Sequence, residues 1–262
     1  MGAVEDSKAR TYPDWQSKKT LAETNRYMLE NEVATDVRFI VGKEMERIPA
    51  HRYMLVSRSS VFYAMFYGVL AEKNEVVIPD IAPDVFRMLL RFLYLEEVNI
   101  TPNNVLEIRY AALKYLVPAL AERCREFLVE NLDVENVFTV LNHAVDILDL
   151  DLTDQCLAFI APSVEDVLNG ENFLTISRSA LAVLLNCDAL CSGEDVLIQA
   201  CERWANFVCK ERGIAYPTGQ QQREALGECF RLIRNTYSKQ QTLGVATNPL
   251  YTQCIDHTRN RP

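Results

Sequence analysis

A chain of 262 residues, 49% apolar and 24% charged, has enough material for one large or two modest globular cores. Its 27 basic and 36 acidic side chains leave a formal charge of −9, which argues against a general nucleic-acid binder, since these carry a basic stripe. No apolar run approaches the ~18 residues of a membrane helix. The opening MGAVEDSKAR has no signal-peptide core and, with Asp6, no myristoylation pattern, so a cytoplasmic and alternatively nuclear location is expected.

Residues 1–13 are polar and aperiodic and are expected to be disordered. Leu21, Met28 and Leu29 recur at spacings of 7 and 8, which predicts an amphipathic helix over 14–33. The period then changes to two. DVRFIVG (36–42) and EMERIPAH (44–51) predict two strands joined by a tight turn at Gly42-Lys43, with Pro49 near the end of the second strand.

A helix over 52–70 follows, and it carries two stripes. Val61, Phe62, Met65, Phe66 and Val69 form the stripe a helix needs for its own core; Tyr63, Tyr67 and Leu70 form a second. EVVIPD (75–80) predicts a short buried strand. Pro83 opens a helix over 83–95, Thr101 caps a helix with Pro102 in its first turn, and Pro118 opens another to about residue 131. From Asp133 onward only helices are predicted, near 134–148, 152–168, 178–186, 194–211 and 220–235, with Asp133 and Ser192 as caps. Residues 236–262 are again polar and aperiodic, a disordered tail.

The eight cysteines include no C-x-x-C, and most lie in apolar helical stretches, where a thiol packs as a small hydrophobe in a reducing compartment. Cys187 and Cys191 are four apart but lack two further ligands nearby, and the three histidines are scattered. There is no nucleophile with His and Asp in a recognisable context and no phosphate-binding glycine loop. The expectation is a non-enzyme with no cofactor and no metal.

The order helix, two strands, helix, strand and helical run resembles the BTB/POZ fold. The segments DVRFIV, IPAHRYMLVSRSSVFYAMF, EVVIPDIAPDVFRMLLRFLYLEEV and AALKYLVPALAERCREFLVENL resemble it in detail. VENVFTVLNHAVDILDLDLTDQCLAFI and GEDVLIQACERWANF are similar to the BACK domain that often follows. The resemblance is strongest to the BTB–BACK proteins that continue into a PHR β-domain; residues 236–262 do not resemble that domain. The implied fold class is α+β: a BTB/POZ domain over 14–132 with a leading dimerisation helix, then an all-helical and incomplete BACK domain over 133–235.

The resemblance also implies an interaction protein rather than a catalyst. BTB adaptors for cullin-3 ubiquitin ligases carry an apolar residue, any residue and Glu just after the long helix, and Leu70-Ala71-Glu72 matches. Tyr63, Phe66, Tyr67, Leu70 and Glu72 are therefore expected to meet the cullin-3 N-terminal domain, with the first BACK helices completing the groove. The alternative is that both stripes are covered within the chain. Leu21, Met28 and Leu29, with Asp36 and Arg52, are expected at a homodimer interface. Asp36 and Arg52 read equally as a structural pair joining strand to helix. The function implied is recruitment of an unidentified protein substrate to a ubiquitin ligase. The alternatives are a regulatory or dominant-negative short form that pairs with PHR-containing relatives, and a BTB transcriptional co-regulator. No nucleic acid and no membrane is expected as a partner.

Overall fold

A computed structural model describes residues 16–17, 19–69, 75–187 and 194–233. The stretches 1–13 and 236–262 lie outside the described residues, as do Leu70, Glu72, Cys191, Ser192, Cys254 and His257. The chain divides into two compact units, Met1–Arg125 and Glu126–Pro262.

In the first unit, α1 (Leu21–Glu30) is shorter than its periodicity predicts. Thr20 and Glu23 form a capping box that fixes its start, and Glu32 and Ala34, both at positive φ, take the chain out of helix before the sheet. Strands β1 (Val37–Val41) and β2 (Glu46–Ala50) pair antiparallel, and β3 (Glu75–Ile78) lies parallel to β1, giving the order β2-β1-β3. Pro49 is tolerated because β2 is an edge strand. The turn needs Gly42, at φ 73°, where an added Cβ would come within 2.9 Å of Pro83. β3 is not uniformly buried: Val76 and Ile78 face the core while Glu75 and Val77 face out.

The long helix predicted over 52–70 is two helices, α2 (Arg52–Val56) and α3 (Ser60–Tyr67). Ser59 makes the break. Its hydroxyl accepts from the Phe62 N–H at 3.2 Å, capping α3, and donates to the Tyr115 carbonyl at 2.5 Å. Helix α4 (Pro83–Leu95) starts on its proline and buries seven residues. The next helix, α5 (Val105–Lys114), starts later than predicted. Pro102 sits in a preceding turn whose Thr101 N–H donates to Asn104 Oδ1 at 2.8 Å. The core of the unit is aromatic. Phe62 stacks on Tyr115 at 4.5 Å between ring centres, and Phe39 meets Phe62, Phe66 and Phe86 at 5.8, 6.3 and 4.9 Å.

The division between units falls within α6 (Pro118–Glu130). In the second unit the described residues include no strand. Its helices are α7 (Val137–Asp146), α8 (Leu150–Ile160), α9 (Val164–Asn169), α10 (Arg178–Leu185), α11 (Glu194–Glu211) and α12 (Gly219–Leu226). The predicted helix 152–168 is interrupted by a 3-10 turn, Ala161–Ser163, at Pro162. Asp133 organises the turn before α7, accepting from the Glu135 and Asn136 N–H groups at 2.8 Å each. Phe138 and Phe173 meet edge to face at 5.3 Å, and Trp204 Nε1 donates to the Ile176 carbonyl at 2.8 Å. Cys156, Cys201, Cys209 and Cys229 are buried in this unit, and Cys124 in the first.

Candidate interaction surfaces

Helix α3 sorts its residues by side. Phe62 and Phe66 are buried, Val61 and Met65 are half-buried, and Tyr63 and Tyr67 are 58% and 61% exposed. Phe66 lies on the inward stripe as its periodicity predicts, its ring stacked along Phe62 with centres 6.1 Å apart, and this burial withdraws it from the cullin-facing set that the resemblance implies. The two tyrosine rings pair with each other across one turn, 5.7 Å centre to centre. Val69, assigned by periodicity to the inner stripe, is fully exposed because the helix has already ended. The end is dictated by Gly68. Its N–H donates to the Ala64 carbonyl at 2.8 Å, and a Cβ on it would lie 2.3 Å from that same oxygen. Only glycine fits there, so the chain leaves the helix directly beneath the tyrosine pair. Leu70 and Glu72, which follow, lie outside the described residues.

A second surface lies along α1 and α2. No residue of α1 is buried; Leu21 is 78% exposed, and Met28 and Leu29 are half-buried. A shallow groove runs beside it, with apolar walls from Leu21, Ala22, Tyr53, Met54, Leu93 and Leu95 and a polar rim at Arg58 and Glu96. Arg58 Nη2 and Glu96 Oε1 pair across that rim at 2.6 Å. Sequence periodicity does not single out Tyr53, because its outward position depends on the break after Val56.

Asp36 and Arg52 meet, but through backbone. Asp36 Oδ1 accepts from the Arg52 N–H at 2.7 Å, holding the start of α2 to the start of β1, and the Arg52 guanidinium lies 5.0 Å from the centre of the Phe66 ring. Beside them His51 is buried between two fixed partners. The Tyr94 hydroxyl accepts from the His51 backbone N–H at 2.8 Å and lies 2.8 Å from His51 Nδ1. The Val33 carbonyl can only accept, so His51 Nε2 carries a hydrogen and donates to it at 2.6 Å. Burial holds the Tyr94 hydroxyl far above its ordinary range, so it stays a donor.

These features are those of recognition surfaces: exposed aromatic and aliphatic side chains carried on rigid helices. Among the described residues no group of three or more His, Cys, Asp or Glu side chains converges on a metal site, and no helix is long and apolar enough to cross a membrane. Comparison with known families decides the kinship. The BTB/POZ domain model matches residues 25–132, and the model of the BACK domain, BTB And C-terminal Kelch, matches residues 137–218. The chain belongs to the BTB–BACK family.

Among its relatives, mouse (Mus musculus) BTB/POZ domain-containing protein 6 is 41% identical over 226 residues, covering 85% of this chain and 42% of the relative. The Homo sapiens protein 6 is 39% identical over 226 residues, covering 85% and 42%. Homo sapiens BTB/POZ domain-containing protein 3 is 37% identical over 226 residues, covering 85% and 43%. The chain therefore spans about two-fifths of the length of these curated relatives. BTB–BACK proteins form a family of protein-interaction adaptors, generally without enzymatic activity, and their BTB domains generally mediate dimerisation and partner binding.

Proposed function

We propose that this BTB–BACK chain is a homodimeric adaptor that docks on the N-terminal domain of cullin-3 and holds a protein substrate near a ubiquitin ligase. The observation that carries the reading is the tyrosine pair on α3. Tyr63 and Tyr67 stand exposed, their tilted rings paired across one turn, at the end of a helix that Gly68 terminates two residues before Leu70-Ala71-Glu72. Exposed tyrosines on a rigid helix suit a binding hot spot, since they bring large contact area at low entropic cost. An adaptor of this kind contributes proximity rather than chemistry. The exposed Leu21 and half-buried Met28 and Leu29 suit self-association, which would double the docking sites and raise avidity.

Calorimetry against the cullin-3 N-terminal domain tests the reading. Tyr67→Ala and Leu70→Ala are each expected to weaken binding by roughly 5- to 150-fold, about 1–3 kcal/mol, and Glu72→Lys to weaken it as well. Melting curves of the same variants separate lost binding from lost fold. Parent-like binding by all three would reject cullin docking through this surface.

A further inference from the structure

The leading helix has no fully buried residue, only half-buried ones such as Met28 and Leu29, and it meets its unit with a set of linked charges. Arg26 Nη2 lies 2.6 Å from Glu97 Oε1, Arg91 Nη2 lies 2.9 Å from Glu97 Oε2, and Arg91 Nη1 reaches Glu30 Oε1 at 3.5 Å. Arg26 and Glu30 are one turn apart on α1; Arg91 is on α4 and Glu97 just past its end. The four side chains thus form one chain of alternating charge that ties the helix down, with Glu97 gripped from both elements. Two further polar ties support it. Asn25 Nδ2 donates to the Tyr94 carbonyl at 3.4 Å, and His51 Nε2 donates to the Val33 carbonyl where α1 leads into the sheet.

No residue of α1 is buried, and every member of the charge chain is more than one-third exposed. Salt therefore reaches all four groups. An isolated surface pair contributes little, but several charges sharing a partner form the network case in which surface ion pairs do matter. By contrast, α4 is anchored by seven buried residues and does not depend on these charges.

We infer that α1 is a salt-labile strap: it loosens from α4 as a unit when ionic strength rises or when Glu97 loses its charge, while the sheet and α4 stay folded. Loosening carries Leu21 and Ala22 away from Tyr53, Met54 and Leu93 and so takes apart the groove they line. The consequence for self-association rests on the dimer proposed above; the strap itself does not.

Hydrogen exchange read by mass spectrometry on the whole chain tests it, at about 0.01 M and about 1 M salt, where the screening length falls from ~30 Å to ~3 Å. At high salt the α1 amides are expected to exchange about threefold to tenfold faster, with β1 and α4 amides unchanged. Glu97→Gln, which leaves only the 3.5 Å Arg91–Glu30 contact, should raise the α1 rate already at low salt and shrink its salt dependence. Asp80→Asn, which breaks the pair with Lys114 on α5, should leave α1 as in the parent. Equal α1 rates at both salt concentrations, α1 and β1 accelerating together, or a salt dependence as large in Glu97→Gln as in the parent would each overturn the strap. Sedimentation of the same samples keeps the two readings apart: a strap that loosens in a chain that is monomeric throughout upholds this inference and rejects the dimer.

Discussion

Helices α1 and α4 are neighbours in the first unit, and each carries an apolar stripe. Helix α4 buries seven of its thirteen residues, including Phe86, Leu89 and Phe92, whereas α1 buries none of its ten and leaves Leu21 exposed. The same contrast recurs within α3, where Phe62 is wholly buried and its neighbour Tyr63 is mostly exposed. Apolar periodicity states that a surface prefers to leave water. It does not state whether the surface that covers it belongs to the same chain. In this unit the inward stripes build an aromatic core around Phe39, and the outward ones stay exposed.

The largest effect that separates the two kinds of stripe is expected at Phe62. Phe62→Ala removes a ring stacked on Tyr115 and edge-on to Phe39, and should cost about 3–5 kcal/mol in urea unfolding. Tyr63→Ala, one residue on, should change stability by no more than about 0.5 kcal/mol. A comparable cost for both would erase the distinction between the two sides of α3.

Gly68→Ala sharpens the contrast at the point where α3 turns out. Its Cβ would collide with the Ala64 carbonyl, so the last turn must shift, and a loss of about 1–3 kcal/mol is expected in the same unfolding assay.

The buried thiols test the inward side by pH. Burial pushes Cys124 and Cys156 from an ordinary value of 9.0 up to about 12. Between these values the unfolded chain releases thiol protons that the folded chain retains, so the unfolded state binds fewer protons and stability falls with rising pH. Thermal unfolding should therefore show a loss that begins near pH 9, grows toward pH 12, and shrinks when Cys124 and Cys156 are replaced by Ala and compared with their own neutral-pH stability. The native protein should also leave these thiols unlabelled by a thiol reagent until it is denatured.

The smallest effect on the fold is expected at Leu21, where the outward stripe is judged by association instead. Leu21→Ala should leave unfolding within about 0.5 kcal/mol of the parent yet weaken the proposed self-association about 5- to 30-fold in sedimentation. Unchanged association would place Leu21 outside any dimer surface.

Much of the architecture was legible because it depends on short-range signals. The period change from α1 to β1, the glycine turn at Gly42 and the prolines opening α4 and α6 each act within a few residues. Other signals were local but easily overridden. Thr20 and Glu23 mark the start of α1 more closely than its stripe does. The division of 52–70 into α2 and α3 escaped periodicity because Ser59 spends its hydroxyl on both the Phe62 N–H and the distant Tyr115 carbonyl. Phe66 lies on the inward stripe that periodicity assigns it; only the interface role implied by the resemblance is at odds with its burial.

By itself, then, the sequence determined the α+β order, the kinship with BTB and BACK domains, and the stock of apolar residues in excess of one stripe per helix. These depend on residue type and spacing, which act locally. Only the tertiary structure decided that Tyr53 lines a groove beside α1, that Asp36 serves the Arg52 backbone, and that Glu97 joins Arg26 of α1 to Arg91 of α4. The Asp36–Arg52 and Arg26–Glu97 contacts join residues 16 and 71 positions apart, so their geometry is fixed only when the sheet and α4 have packed.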